Sequence, residues 1–143
     1  MTEQLVVDEE LGPLRWDPSL EWWEGEIRLS SQDPFVLYVM SRHDDGRPIT
    51  DEARAAIARI RTLETTCRRY AASELLAVHN AEWSEGNLTS TEEFADRLSP
   101  DSVEVHESGY AEVHFTDGEL FGGHLVGVRI KPEGSFQEAV VEG

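Results

Sequence analysis

Residues Asp51–Trp83 have the pattern of one long amphipathic helix, with strand-like sequence on both sides of it. A period of 3.6 residues places small and apolar side chains on one stripe of this helix: Ala53, Ile57, Ile60, Cys67, Ala71, Leu75 and Val78. Thr50 is a suitable N-cap, and Asp51 and Glu52 fall in the first turn, where the helix dipole favours negative charge. The remaining chain must therefore pack around a helix of this length.

Two features of the helix pattern bear on how it packs. Leu76 and Trp83 widen the apolar surface beyond the stripe, so we expect the C-terminal half of the helix to lie deeper than the N-terminal half. Glu64 falls inside the stripe, and the threonines between Thr62 and Thr66 lower the helix propensity around it. A kink near Thr62–Thr66 and a continuous helix both stay open.

The 143 residues favour a single domain, with residues 1–13 as an acidic tail or edge element and residues 14–143 as the folded unit. No apolar run approaches the roughly 18 residues that a bilayer span needs. The acidic N-terminal sequence also lacks the basic and apolar regions of a signal peptide. Cys67 is the only cysteine, which leaves no internal disulfide and no cysteine metal cluster. We expect a cytoplasmic protein, not inserted in a membrane, with Cys67 as a packed and unreactive thiol.

The net charge of −17 argues against binding to nucleic acid or to anionic membranes, because both require clustered Lys and Arg. Residues 42–69 alone sum to +2 and stand between two acidic segments. Within them Arg54, Arg61 and Arg68 recur every seven residues beside the apolar stripe. These arginines form either a solvated face that pairs with nearby carboxylates or a docking ridge for an acidic partner or an anion.

Two strands are predicted before the helix, at Leu20–Leu29 and Phe35–Met40, and Leu14–Trp16 is compatible with a further short strand. The Phe35–Met40 segment is apolar at both parities, which is typical of a central strand covered on both faces. In Leu20–Leu29 the adjacent Trp22 and Trp23 must face opposite ways, so Trp22 is a candidate exposed aromatic.

After the helix, Thr89 and Glu92 form a capping box for a short helix that ends near Leu98, with Phe94 inward. Four antiparallel strands are then predicted, at Val103–His106, Tyr110–Thr116, Glu119–Lys131 and Ser135–Glu142. The fold class is therefore α+β. We expect a mostly antiparallel sheet of about six strands packed against one long and one short helix, in the order β-β-α-α-β-β-β-β.

Asp117-Gly118 is the strongest hairpin signal in the chain. A two-residue loop there would pair Ala111 with His124 and place the imidazole on the apolar face. A buried imidazole needs a hydrogen-bond partner, and Glu142 would face it if the last hairpin has a three-residue loop. His124 is then either a satisfied structural histidine or a catalytic or ligand-binding group. A three-residue turn at Glu107–Gly109 would likewise pair Val105 with Ala111. The inward set under these registers is Val103, Val105, Val113, Phe115, Leu120, Val126, Val128 and Ile130.

The sequence predicts neither a metal site nor a cofactor. His114, Asp117, Glu119 and His124 include metal-ligand residue types, but strand alternation sends the two histidines to opposite faces. His79 and His124 would meet only if the helix crosses that strand, and two ligands are too few. No serine or cysteine nucleophile motif occurs either.

Five stretches, EWWEGEI, YAASELLAVHNAEW, LTSTEEFADRL, FTDGELFGGHLVGV and the closing AVVEG, resemble in this order a bacterial domain family of unknown function. The resemblance covers residues 14–143 and implies a shared fold, but it supplies no reaction or ligand. The arginine-rich first half of the helix lies outside the shared motifs. The positions that the resemblance singles out are Trp23, Gly25, Asn80, Trp83, Asp117, Gly118, Phe121, Gly123 and His124.

Two functions are compatible with these patterns. The first is a non-catalytic protein-binding module, of the immunity or regulatory type, that binds a basic protein. The second is a small enzyme or ligand-binding protein that uses a semi-buried site around His124 and Asn80 with Glu142 or Asp117 as the carboxylate. Assembly with further copies of the same chain stays open. For the binding module, the candidate residues are Arg54, Arg61, Arg68, Trp22 and Trp83.

Overall fold

The computed structural model describes residues 4–29, 33–40, 46–84, 86 and 88–142. Within them eight strands form one sheet, in which the spatial order is the order of the sequence. The strands are β1 Leu5–Asp8, β2 Gly12–Asp17, β3 Trp22–Arg28, β4 Pro34–Val39, β5 Ser99–Val105, β6 Ala111–Thr116, β7 Leu125–Ile130 and β8 Phe136–Glu142. The helical segments are α1 Thr50–Val78, the π-helical turn His79–Trp83, α2 Thr91–Arg97 and the 3₁₀ turn Glu107–Gly109.

Neighbouring strands are antiparallel except for β4 and β5, which are parallel. Parallel neighbours need a long crossover connection, and the chain between β4 and β5 contains both helices. It therefore returns to the end of the sheet at which β4 began. The predicted α+β class with a mostly antiparallel sheet is confirmed. The predicted count and order of strands are wrong, because the described chain has two more strands before α1.

The segment 1–13, expected as a tail or edge element, contains the edge strand β1 and the start of β2. Val6 pairs with Leu14, and Leu14 is fully buried. Gly25 on β3 makes room for this packing, since a Cβ there would lie 2.9 Å from both Leu14 Cδ2 and Pro13 O. The backbone and side chain of β2 therefore approach β3 closely at Gly25.

Helix α1 buries its predicted stripe from Ala53 to Leu75 against one face of the sheet. Val78 and Trp83 are 44% and 43% exposed, so the expectation that the C-terminal half lies deeper is wrong. Only one side of the chain is covered at this end, because His79 is buried against Phe94 and Phe121 whereas Val78 and Trp83 are exposed. Burial raises the pKa of the Cys67 thiol to about 12, as suits a packed and unreactive side chain.

The helix runs without a break through Thr62–Thr66. Glu64 is only 2% exposed, and the Arg68 guanidinium one turn later lies 3.3 Å from its carboxylate. This ion pair makes the burial of a charge tolerable, so no kink is needed. Thr50 does not cap the helix, because it is already helical and the N-cap position belongs to Ile49.

The short helix α2 begins one residue later than its predicted capping box. Ser90, not Thr89, is the N-cap, and its hydroxyl accepts a hydrogen bond from the Glu93 N–H at 3.2 Å. Phe94 is fully buried, as predicted. Neither α1 nor α2 has the length and apolar character that a bilayer span requires.

The predicted register of the hairpin at Asp117-Gly118 is wrong. Ala111 pairs with Ile130 instead of His124, and Thr116 pairs with Leu125, so residues 117–124 form a loop. The shift is an even number of residues and therefore keeps the side chains of the paired strands on their predicted faces. The whole predicted inward set is buried, including Leu120, which lies in the loop.

Candidate functional site

The loop 117–124 is organised by the buried carboxylate of Asp117, which is 2% exposed. Its Oδ1 accepts the N–H of Glu119 at 2.9 Å. Its Oδ2 accepts the N–H groups of Phe121 at 2.9 Å, Gly123 at 3.2 Å and His124 at 2.9 Å. Burial by itself would raise the pKa of Asp117, but these backbone hydrogen bonds outweigh it and the pKa is lowered. Asp117 thus has a sufficient structural role as the centre of the loop.

His124 is half-buried at the end of this loop instead of facing Ala111 within a strand. Its Nδ1 lies 2.6 Å from the carbonyl oxygen of Phe121, which fixes a proton on Nδ1 and leaves Nε2 as the acceptor in the neutral ring. The ring of Trp83 packs against it at 5.9 Å between centroids. The imidazole is therefore oriented, but its nearest fixed partners are a carbonyl and an indole.

Asn80 is held by the segment that precedes α2. Its side chain accepts the N–H of Thr89 and donates to the carbonyl of Thr89, both at 3.0 Å, and its Oδ1 lies 2.9 Å from His79 Nδ1. His79 is 4% exposed and packs edge-on against Phe94 and Phe121. The structure thus brings the residues after α1 next to the loop 117–124. The side chain of Asn80 makes its hydrogen bonds there to other groups of the fold.

Glu142, the fourth candidate of the predicted catalytic set, lies elsewhere. A register irregularity between Arg129 and Ile130 pairs Glu142 with Leu125 and turns its side chain to the face opposite the helices. There its Oε2 lies 2.8 Å from the Nε2 of His114. The structure therefore separates Glu142 from the loop that contains His124.

The arginine ridge on α1 is used in contacts within the chain. Arg54 Nε lies 3.1 Å from a carboxylate oxygen of Asp8, and Arg61 donates to the carbonyl of Arg28. Arg68 pairs with Glu64, donates to the carbonyl of Leu98, and stacks over the Phe115 ring. Of the two alternatives for the ridge, these contacts favour pairing over docking.

A groove of about 710 Å³ lies between α1, α2 and the start of β8. Tyr70 and Phe136 stack on each other at 4.7 Å on its wall. Two arginines of α1, Arg68 and Arg69, and two acidic residues of α2, Glu92 and Asp96, line it, so the groove has no dominant sign of charge. Neither His124 nor Asn80 lines it.

The outer face of the sheet, defined as the face opposite the helices, contains a row of residues that the strand registers place side by side across all eight strands. Four of its eight members are glutamates and two are arginines. The row consists of Leu5, Arg15, Glu24, Tyr38, Glu104, Glu112, Arg129 and Glu138. Glu104 and Glu112 are direct cross-strand partners, an arrangement that places like charges opposite each other.

His114 lies two residues after Glu112 on β6, at the next position of the outer face, and is 4% exposed. Its Nε2 lies 3.4 Å from Glu112 and 2.8 Å from Glu142, while its Nδ1 is 3.5 Å from the buried Ser102 hydroxyl. Gly127, opposite His114 on β7, makes room for the ring, since a Cβ there would lie 3.1 Å from His114 Cδ2. A histidine and several carboxylates therefore meet on the outer face.

The sequence contains the signal for this cluster, although our prediction did not use it. The pairing of Val105 with Ala111, which the sequence predicts correctly, places Glu104 directly opposite Glu112. The pKa of Glu104 is lowered, first by His106, whose Nε2 lies 3.6 Å away, against an opposing effect of burial and with help from His114. Both glutamates thus belong to one electrostatic unit with the neighbouring imidazoles.

Trp22 and Tyr38 stack on the outer face, with ring centroids 4.3 Å apart and an interplanar angle of 29°. Trp22 is half-buried whereas Trp23 is 1% exposed, so the two rings face opposite ways as predicted. Burial raises the pKa of the Tyr38 hydroxyl, and the neighbouring carboxylates Glu24, Asp101 and Glu104 raise it further. The stacked rings are therefore bordered by negative charge.

A family model described as an uncharacterized protein conserved in bacteria (DUF2262) matches residues 8–141. The resemblance inferred from the five sequence stretches is thus confirmed. No curated protein and no solved structure matches the chain. The comparisons assign no reaction, ligand or partner.

Proposed function

The chain belongs to this family of uncharacterized bacterial proteins, and for this member we propose a non-catalytic function: it binds a basic protein partner on the outer face of its sheet. Such a role is of the immunity or regulatory type and is exerted in the cytoplasm. The partner contacts a surface defined by Trp22, Tyr38, Glu24, Asp101 and Glu104.

The main support for this proposal is the stacked pair of Trp22 and Tyr38 with its border of carboxylates. A guanidinium laid against an aromatic ring gains a cation–π contact, and an adjacent carboxylate adds a charge-assisted hydrogen bond. Tryptophan, tyrosine and arginine are also the residue types that dominate binding energy at interfaces. Both types of contact are offered here to a single arginine or lysine side chain.

The charge of the whole chain supports the same partner. A net charge of −17 accelerates the encounter with a basic protein, and the row of glutamates across the sheet directs that attraction to one face. The basic half of α1 does not oppose this, since Arg54, Arg61 and Arg68 are engaged within the chain.

An enzyme centred on His124 receives less support from the geometry. Asn80 is hydrogen-bonded to Thr89 and His79, and Asp117 accepts backbone N–H groups of its own loop. Glu142 is paired with His114. A general base needs a substrate-facing partner as well as an oriented ring, and the predicted partners have other roles. The binding function instead uses the exposed carboxylate of Glu24 beside the stacked rings of Trp22 and Tyr38.

A selection experiment tests the proposal. The full chain is immobilised, and short random peptides displayed on phage are selected against it at low and at physiological salt. We expect enrichment of peptides rich in arginine and lysine, with an affinity that falls as salt rises. Trp22→Ala should weaken the binding of the selected peptides about tenfold, which corresponds to about 1.4 kcal/mol.

Trp83→Ala is the matched control, because it removes another tryptophan, which is 43% exposed, from a surface at the end of α1. It should leave the peptide affinity unchanged. Enrichment of acidic or purely apolar peptides would contradict the proposal. So would selected peptides whose binding depends on Trp83 and not on Trp22.

A further inference from the structure

The outer face contains a set of side chains with the composition of a metal site. We infer that Glu104, Glu112 and His114 form a site for one divalent transition-metal ion, of the class of Zn²⁺ or Mn²⁺. The inference does not rest on the proposed binding of a basic protein, since it concerns three residues and an inorganic ligand. It also differs from the sequence prediction, which combined His114 with the loop 117–124.

The geometry brings one ligand atom from each residue within 4.8 Å of the other two. Zn²⁺ bonds of about 2.0–2.2 Å in a tetrahedral site place two ligands of one ion about 3.3–3.6 Å apart. Side-chain movements of up to about 1 Å therefore bring the three atoms onto one ion. All three residues lie on the adjacent antiparallel strands β5 and β6, whose pairing fixes their spacing.

The balance of charge favours a cation at this place. Four glutamates lie together here, namely Glu104, Glu112, Glu138 and Glu142, and among the described side chains the guanidinium of Arg129 contacts three of them: Glu112 at 3.1 Å, Glu142 at 3.7 Å and also Glu138. Glu104 is the member that this guanidinium does not contact. The two cross-strand carboxylates gain most from a divalent ion between them, because like charges opposite each other are destabilising.

His106 borders the three residues. Its side chain is 34% exposed, but its Nε2 atom is buried, has no hydrogen bond within the described part of the chain and lies 3.6 Å from a carboxylate oxygen of Glu104. A buried ring nitrogen without a hydrogen bond is costly. This atom adds to the polar groups that converge at Glu104.

The surroundings of His114 suit a metal ligand. The ring is almost fully buried, and the Ser102 hydroxyl lies on the side of Nδ1, so Nε2 is the nitrogen that faces the carboxylates. Binding of the ion at Nε2 requires the neutral imidazole and displaces Glu142 from it. An imidazole nitrogen beside carboxylates favours Zn²⁺ over Mg²⁺ and Ca²⁺, which are held by oxygen ligands, and the carboxylates also suit Mn²⁺.

The test is a calorimetric titration of the full chain, stripped with a chelator, with Zn²⁺, Mn²⁺ and Mg²⁺ in separate experiments. We expect one equivalent of Zn²⁺ to bind at least tenfold more tightly than Mg²⁺. Glu104→Gln and His114→Gln should each weaken that binding tenfold or more. Glu104→Gln is the safer variant, because Glu104 is half-buried and its replacement keeps the shape of the side chain. Circular dichroism establishes that each variant is folded.

Glu24→Gln is the matched control, since it removes the same charge from the same row without touching the three ligands. It should leave the Zn²⁺ affinity within about twofold. Absence of a one-equivalent Zn²⁺ site overturns the inference. An equal loss of affinity in Glu24→Gln and Glu104→Gln also overturns it, because the ion would then respond only to the general negative charge of the face.

Discussion

The loop 117–124 and the outer face of the sheet both combine a carboxylate with a histidine, yet they satisfy their charges in opposite ways. In the loop, one carboxylate, Asp117, receives four backbone N–H donors. On the outer face, several carboxylates surround Arg129 and His114, and two glutamates stand directly opposite each other. A carboxylate whose hydrogen bonds are complete has a structural role, whereas a surplus of carboxylates leaves a surface open to a cation.

The comparison predicts its largest effect at Asp117. Asp117→Ala removes the acceptor of four backbone N–H groups in a buried loop and leaves most of them without a partner. The free energy of unfolding should fall by about 3–5 kcal/mol. Urea denaturation measures the change. Asp96→Ala, an exposed carboxylate on α2, should change it by less than about 0.5 kcal/mol. A loss below about 1 kcal/mol in Asp117→Ala would contradict the structural role.

Two glycines of the same loop extend the test. Gly118 has a φ of +57°, and a Cβ there would lie 2.4 Å from the carbonyl oxygen of Arg97. Gly122 also has a positive φ, of +76°, but the nearest atom to its Cβ would be 3.8 Å away. Gly118→Ala should therefore cost about 3 kcal/mol in unfolding free energy, and Gly122→Ala about 1 kcal/mol. Equal costs would mean that φ alone, and not the contact with Arg97, determines the effect.

The loop also predicts a pH dependence of stability. Since the folded pKa of Asp117 is below its ordinary value of 3.8, its contribution is complete at higher pH and is lost as pH falls through the folded pKa. Between pH 5 and pH 3 the wild type should lose more unfolding free energy than Asp117→Asn, by at most about 1.4 kcal/mol per pH unit. Urea denaturation at several pH values checks this. Parallel pH profiles for the two proteins would contradict it.

The sequence predicted what depends on the alternation of side chains and missed what depends on loop closure. Val105 opposite Ala111 was correct because a short turn leaves few registers. Ala111 opposite His124 was wrong because Asp117 binds the backbone of its own loop instead of starting a tight hairpin. An Asp-Gly pair predicts that the chain reverses direction, but it does not determine how many residues the loop has.

The candidate site was less predictable than the fold for a related reason. His114 and Glu142 meet only because the irregularity near Arg129 shifts β8 by one residue and turns Glu142 outward. A one-residue shift moves every following side chain to the opposite face of the sheet. The residue types around Arg129 do not predict this shift. In contrast, Trp22 and Trp23 were assigned to opposite faces correctly, since their adjacency within one strand is sufficient.

The smallest expected effect on stability belongs to a carboxylate of the outer face, Glu24, in contrast to Asp117 in the loop. Glu24 is exposed on β3 beside Tyr38, and Glu24→Gln should change the free energy of unfolding by less than about 0.5 kcal/mol. The same variant should weaken the binding of an arginine-rich peptide several-fold at low salt, because a carboxylate at the border of the stacked rings is lost. Glu93→Gln, an equal change of charge on α2, separates a local effect from one of net charge. If both variants weaken peptide binding equally, the attraction belongs to the whole acidic molecule, and the Trp22–Tyr38 surface has no special role. If only Glu24→Gln weakens peptide binding and stability is unchanged, the Glu24 carboxylate contributes to recognition and not to the fold. Asp117 has the opposite role, since its carboxylate stabilises the fold.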